Sequence, residues 1–223
     1  MGDCGAELAQ VRGRQFVIFT ITSNVFIIPI GETVNQILVS KISNLNCRPL
    51  YQVLDGLPRL EELKIARNRL THRTLECFDL KFGNLRSLNL SDNLGIGAVG
   101  ISSLKFLLTD QPALETLILS RISNRGDLIF DKIAEMFSES INIIKTLILS
   151  KNHLSDDELI DNAETIAEFT ELEFLDITSN RNVTKTGVTK LLSTIPTLRE
   201  LKTSAKEMDN IEIEEELKNK LKF

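Results

Sequence analysis

The chain has 223 residues, 42% of them hydrophobic, which is enough to bury a sizeable, elongated core. Its 26 lysines and arginines against 31 aspartates and glutamates leave a charge of −5 with no long single-sign block, so the basic footprint of a direct nucleic-acid binder is missing. Three cysteines, Cys4, Cys47 and Cys77, are too few and of the wrong parity for a disulfide framework, and they favour a reducing compartment.

At the N-terminus, Met1-Gly-Asp-Cys-Gly-Ala6 lacks the Ser or Thr at position 6 that myristoylation needs. The apolar run from Phe16 to Ile30 is broken by Thr20, Thr22, Ser23, Asn24 and Pro29 and is too short to span a bilayer. It reads as a β-hairpin: Phe16–Thr22, a turn at Ser23-Asn24, then Val25–Ile30. Residues 1–33 are therefore expected to form an N-terminal hairpin segment, either pairing with the first strand that follows as a cap or poorly ordered. Val34, Ile37 and Val39 begin that next strand. Without a secretory signal, the sequons at Asn89-Leu-Ser91 and Asn182-Val-Thr184 should stay unmodified, and the protein should be intracellular.

From Leu60 onward one pattern returns: an apolar residue at positions 1, 4 and 6, and usually Asn at 9. It reads Leu60/Leu63/Ile65/Asn68, Leu85/Leu88/Leu90/Asn93, Leu114/Leu117/Leu119, Ile144/Leu147/Leu149/Asn152 and Leu172/Leu175/Ile177/Asn180, with a partial copy at Leu198/Leu201. The starts at 60, 85, 114, 144, 172 and 198 give spacings of 25, 29, 30, 28 and 26. This is the leucine-rich repeat signature. Each copy supplies a short strand, a turn at the Asn and a return segment, and none can bury its apolar face without a stacked neighbour. Spacings near 28 leave room for a helix on the return. The expected fold class is α/β, a ribonuclease-inhibitor-like solenoid with parallel strands on the concave face and helices on the convex face. It should occupy residues 34–204.

The return segments carry helical faces: Ile101/Leu104/Leu107/Leu108, Ile129/Ile133/Met136/Phe137, Leu159/Ile160/Ala163/Ile166 and Val188/Leu191/Leu192/Ile195. Ser155-Asp-Asp-Glu158 is a capping box for the third of these. Pro112 and Pro196 should stop helices before the next strand. Residues 205–223, with Ile213, Leu217 and Leu221 on one face and the acidic stretch Glu212–Glu216, read as a C-terminal capping helix.

Gly95-Ile-Gly97-Ala-Val-Gly100 is a literal GxGxxG between a strand and a helix, the context of a dinucleotide fingerprint. The next strand, Leu117-Ile-Leu119, is followed by Ser120 and Arg121 instead of the acidic residue that would hold a ribose, so the motif reads as a repeat turn with close helix packing. His72 and His153 lie four and one residues past the turn Asn of their repeats, with no ligand cluster at metal spacing, and read as surface loop residues. Cys77 beside Phe78 reads as core packing, since no partner base accompanies it. No catalytic constellation remains, and no cofactor or metal is expected.

In each strand, positions 3, 5 and 7 point away from the core. The seventh positions give a ladder of hydroxyls, Ser91, Ser120, Ser150 and Thr178. Ile118, Ile148 and Phe174 should form an apolar strip in the middle of the face, flanked by Thr116, Thr146, Asp176 and Asn89, with Glu62, Lys64, Glu200 and Lys202 as a charged rim. These residues, Lys64 included, are the candidate protein-binding site.

Several stretches resemble the C-terminal leucine-rich repeats of the Tonsoku-like family: Leu114–Leu119 with Ser120-Arg-Ile-Ser-Asn-Arg-Gly-Asp127, Leu147–Leu154, Phe174–Asn180, Leu60–Leu70 and Leu191-Leu-Ser-Thr194. Asn24-Val-Phe-Ile-Ile-Pro-Ile30 is similar to the opening hairpin of the ubiquitin-like domain that precedes those repeats in the family. The resemblance implies a nuclear scaffold in replication-fork protection and homologous-recombination repair. The implied protein partner is the methyl-methanesulfonate-sensitivity protein twenty-two-like subunit, held in part by the repeat surface. The family's tetratricopeptide repeats and histone-reading ankyrin region are not in this chain, so histone binding is not implied. The alternative is a generic ribonuclease-inhibitor-like adaptor, a substrate receptor or cytoskeletal cap.

Overall fold

The computed structural model of the chain describes residues 5–11, 14–20, 36–40, 59–76, 83–109, 113–124, 126–138, 143–204 and 219–222. Its recurring unit is small: three extended residues, a tight turn, then a helix. The strands β4 (Glu62–Lys64), β5 (Ser87–Asn89), β6 (Thr116–Ile118), β7 (Thr146–Ile148), β8 (Phe174–Asp176) and β9 (Glu200–Lys202) each bury only their middle residue. Alternation along an extended chain requires this, because neighbouring side chains leave on opposite faces. The pairing register sets Leu63, Leu88, Leu117, Leu147, Leu175 and Leu201 in one row beneath the sheet, none more than 1% exposed.

The helices α1 (His72–Glu76), α2 (Gly97–Thr109), α3 (Ile129–Ser138), α4 (Asp156–Ala167) and α5 (Lys185–Thr194) follow β4 to β8 in turn, and each packs on the next. Ile101, Leu104, Ile129, Ile133, Met136, Leu159, Ala163, Ile166, Val188, Leu191, Leu192 and Ile195 are buried, as the helical spacing predicts. Phe130 and Ala134 are buried as well. Ile160 is only half-buried. Glu158, on another side of the helix, is instead buried, at 6% exposed. The apolar part of α4's inner face is thus Leu159, Ala163 and Ile166, and the carboxylate is retained for capping.

The sheet runs in chain order from one end to the other. β1 (Gly5–Val11) pairs antiparallel with β2 (Arg14–Thr20), and every later pair is parallel, through β3 (Gln36–Ser40) to β10 (Leu221–Lys222). The molecule is therefore α/β, with nine consecutive parallel strands from β2 to β10 and five helices among the described residues.

Two expectations at the ends are corrected. Phe16–Thr20 does form a hairpin arm, but its antiparallel partner is β1, with Phe16 opposite Ala9 and Thr20 opposite Gly5. Its other edge is taken by β3, so no edge of β2 remains for Val25–Ile30, which lies outside the described residues. At the far end Leu221 lies in β10, opposite Leu201, and not on a helix. The remainder of the expected capping helix, 205–218, lies outside the described residues.

Candidate functional site

The turn after each strand is the same. Hydrogen bonds of the parallel ladder continue past the strand, from Arg67 N to Ser91 O, Asp92 N to Ser120 O, Arg121 N to Ser150 O and Lys151 N to Thr178 O. The eighth residue of each unit then turns left-handed: Arg67, Asp92, Arg121, Lys151 and Ser179 have φ of 61°, 59°, 52°, 61° and 59°. The ninth residue falls inward. Asn93, Asn152 and Asn180 are buried, and each donates its side-chain amide to a carbonyl of its own unit and one of the unit before, Leu90 and Ile65 for Asn93, for example. Their Oδ1 atoms accept from backbone N–H groups of the preceding unit, as Asn180 does from Asn152 N at 2.7 Å. In the third unit Ile122 stands at this position, and the next residue, Ser123, donates forward to Asn152 O of the fourth unit at 2.9 Å.

The expected outer-face residues all lie opposite the helices and all are half-buried. They form two rows. Ile118 and Ile148 are direct register partners, in one row with Lys64, Asn89, Asp176 and Lys202. Thr116 and Thr146 are partners in the other, and Phe174 belongs with them, opposite Thr146 and Glu200. The three apolar residues thus stand as a pair with a step, because Phe174 is at the third strand position and the isoleucines at the fifth. A diagonal neighbour lies about 7 to 8 Å away, within an aromatic ring's reach. The ring is also covered in part by Lys202, whose Nζ sits 5.1 Å from its centroid.

The polar members are partly committed. Asn89 Oδ1 accepts from Ser91 N at 2.9 Å, and Asp176 Oδ1 accepts from Thr178 N at 2.9 Å and Thr178 Oγ1 at 2.7 Å, so both close the strand end. Ser150 Oγ donates to Ser120 Oγ at 2.8 Å, joining two members of the hydroxyl ladder. At the rim, Lys64 pairs with Glu62 at 2.5 Å and Lys202 with Glu200 at 4.0 Å.

The glycines of the GxGxxG stretch are occupied by packing. A Cβ on Gly95 would lie 2.9 Å from Leu70 O, and one on Gly100 would lie 3.3 Å from Leu75 Cδ1 on α1. Gly97 has φ of 57°, and its N–H is already donated to Ile122 O. The histidines are not equivalent: His72 opens α1, whereas His153 sits in the fourth turn with φ of 62°. Cys4, Cys47 and Cys77 lie outside the described residues. Among the described residues, no cluster of His, Cys, Asp or Glu could hold a metal, and no helix is long and apolar enough to cross a membrane.

One feature carries no signal in the strand pattern. An open groove of about 750 Å³ runs along the turns from the second unit to the fifth, lined on one side by eighth-position residues, Arg121 and Lys151, and on the other by tenth-position ones, Leu94, His153 and Arg181. Its residues are about 30 positions apart in sequence and become a row only when the units stack. Beside it, Asp92 accepts from Arg67 Nε and Arg121 Nη1, both at 3.2 Å. Partial burial pushes the Asp92 carboxyl upward, but the two guanidinium groups outweigh it and hold the group below the usual aspartate range.

No known family model matches the chain, and no curated protein matches it in sequence.

Proposed function

We propose that the chain is a leucine-rich repeat solenoid of the ribonuclease-inhibitor-like kind, acting as a non-catalytic scaffold whose outer sheet face captures a protein partner. The observation that carries this reading is the in-register pair Ile118–Ile148, with Thr116, Thr146 and the Phe174 ring beside it, on the sheet face opposite the helices. The backbone of these strands is already paired on both sides, so what the face offers a partner is apolar side-chain area within a charged rim.

Placement in replication-fork protection and homologous-recombination repair, in the nucleus, is supported by the residue resemblance alone. So is the methyl-methanesulfonate-sensitivity protein twenty-two-like subunit as partner. Affinity capture from nuclear extract, with and without replication stress, tests both levels. Wild-type chain should recover that subunit, while Ile148→Asp should lose it with the melting temperature unchanged. Intact capture by Ile148→Asp would overturn the outer face as the binding surface. Recovery of a cullin or of actin in place of the repair subunit would overturn the repair assignment and leave a generic adaptor.

A further inference from the structure

The chain carries more acid than base, 31 against 26, yet among the described residues no Asp or Glu lines the groove along the turns. Arg121, Lys151, His153 and Arg181 all face it. The nearby carboxylates are engaged elsewhere: Asp92 by Arg67 and Arg121, Asp127 by Asn124 N, and Asp156 by Thr184 N and Gly187 N. The backbone does not call for cations here. A left-handed eighth residue is best served by Gly, Asn or Asp, and a long cationic side chain adds nothing to the turn. Arg121 and Lys151 occupy that conformation all the same, and Lys151 and Arg181 extend from exposed positions.

The ladder bonds hold successive turns at strand spacing, about 4.8 Å, so the groove from the second to the fifth unit is roughly 15 Å long. That length takes about four or five residues of extended peptide. Leu94, 39% exposed, ends the groove with an apolar contact. We infer that this groove is a docking site for a short acidic peptide segment of a protein partner, with carboxylates on Arg121, Lys151 and Arg181 and an apolar residue on Leu94. The site is separate from the outer face and does not depend on it. A nucleic-acid strand fits less well, because the described lining has no Phe, Tyr or Trp ring for a base to stack on and the chain as a whole is negative.

The test uses the full chain and a fluorescein-labelled peptide of five alternating aspartates and glutamates flanked by leucines, followed by fluorescence polarisation. Binding should be saturable, weaken with added salt, and drop about tenfold or more in the Lys151→Glu, Arg181→Glu double variant. The equal charge change placed on the helices, Lys132→Glu with Lys190→Glu, should leave it within about twofold. Melting curves of both variants confirm that each is folded. An equal loss in both variants would show only net-charge attraction and overturn the site. So would a single-stranded oligonucleotide of the same charge binding more tightly than the peptide, or no saturable binding by the wild-type chain.

Discussion

Asn152 is fully buried, yet its side chain is used in full: its amide donates to Leu119 O and Leu149 O, and its Oδ1 accepts from Ile122 N at 2.9 Å. Removing it strands Ile122 N and Leu119 O at once and leaves Leu149 O with the Asn180 amide alone. Asn152→Ala should therefore cost roughly 3 kcal/mol in urea unfolding, against about 0.5 kcal/mol or less for Asn182→Ala on the surface. A cost below about 1 kcal/mol would mean that water replaces the amide. Glu158 bears a second kind of burden. It accepts from Ser155 N and Oγ in the capping box that the sequence shows, and also from Phe130 N on the neighbouring helix, which no local motif could announce. Burial pushes its carboxyl above the usual glutamate range, with Asp131 adding to the rise and the three hydrogen bonds opposing it. A raised native value means that, as pH falls toward 4.5, the folded chain takes up a proton before the unfolded one does, so this group's penalty is lifted on acidification. Asp92, shifted the other way, loses its contribution as pH falls through and below the ordinary 3.8, so its effect is opposite in sign and centred lower than that of Glu158. Melting at pH 7 and pH 5 should show that Glu158→Gln reduces whatever stability the wild type gains, or increases what it loses, over that interval. An unchanged difference would assign the pH dependence to other groups.

Elements were readable wherever the apolar period met a burial rule. The strand leucines and, Ile160 apart, the described inner-face residues of α2 to α5 follow from spacing alone, because one face of each must be covered. Errors arose where spacing leaves a choice open. Phe16–Thr20 alternates as a strand should, but alternation does not say which edge pairs with what, and β1 took the edge assigned to Val25–Ile30. Phe174 lies on the outer face as alternation predicts, but in the row beside the isoleucines, since a two-residue offset keeps the face and changes the direct neighbour. Left-handed turns at Arg121 and Lys151 were not legible, because neither residue type signals that conformation. The ladder imposes it on whatever residue stands there.

In a stack of units that touch only their neighbours, the weakest seam governs how the whole unfolds. Side-chain amides bridge the first and second units through Asn93, the third and fourth through Asn152, and the fourth and fifth through Asn180. Between the second and third, Ile122 replaces the Asn, and no such amide crosses among the described residues. Two ion pairs cross that seam, Arg86–Glu115 at 3.4 Å and Asp92–Arg121 at 3.2 Å. Each acid also holds a second cation, Glu115 taking Lys145 at 3.3 Å and Asp92 taking Arg67. These pairs are partly exposed, so each contributes modestly and salt screens it. Asp92→Asn with Glu115→Gln keeps the turn geometry, since Asn tolerates the left-handed conformation, and removes all four pairs. The loss should be about 1 to 2 kcal/mol at low salt and largely vanish near 0.5 M. Because it falls on an interior seam, the single transition should broaden or divide, with hydrogen exchange quickening first in the second and third units. Glu173→Gln, which removes the Glu173–Arg199 pair near the end of the stack, should leave the transition single. If both variants unfold in one equally sharp step, the charges are not what joins the second unit to the third, and the backbone ladder with the apolar packing carries cooperativity across that seam.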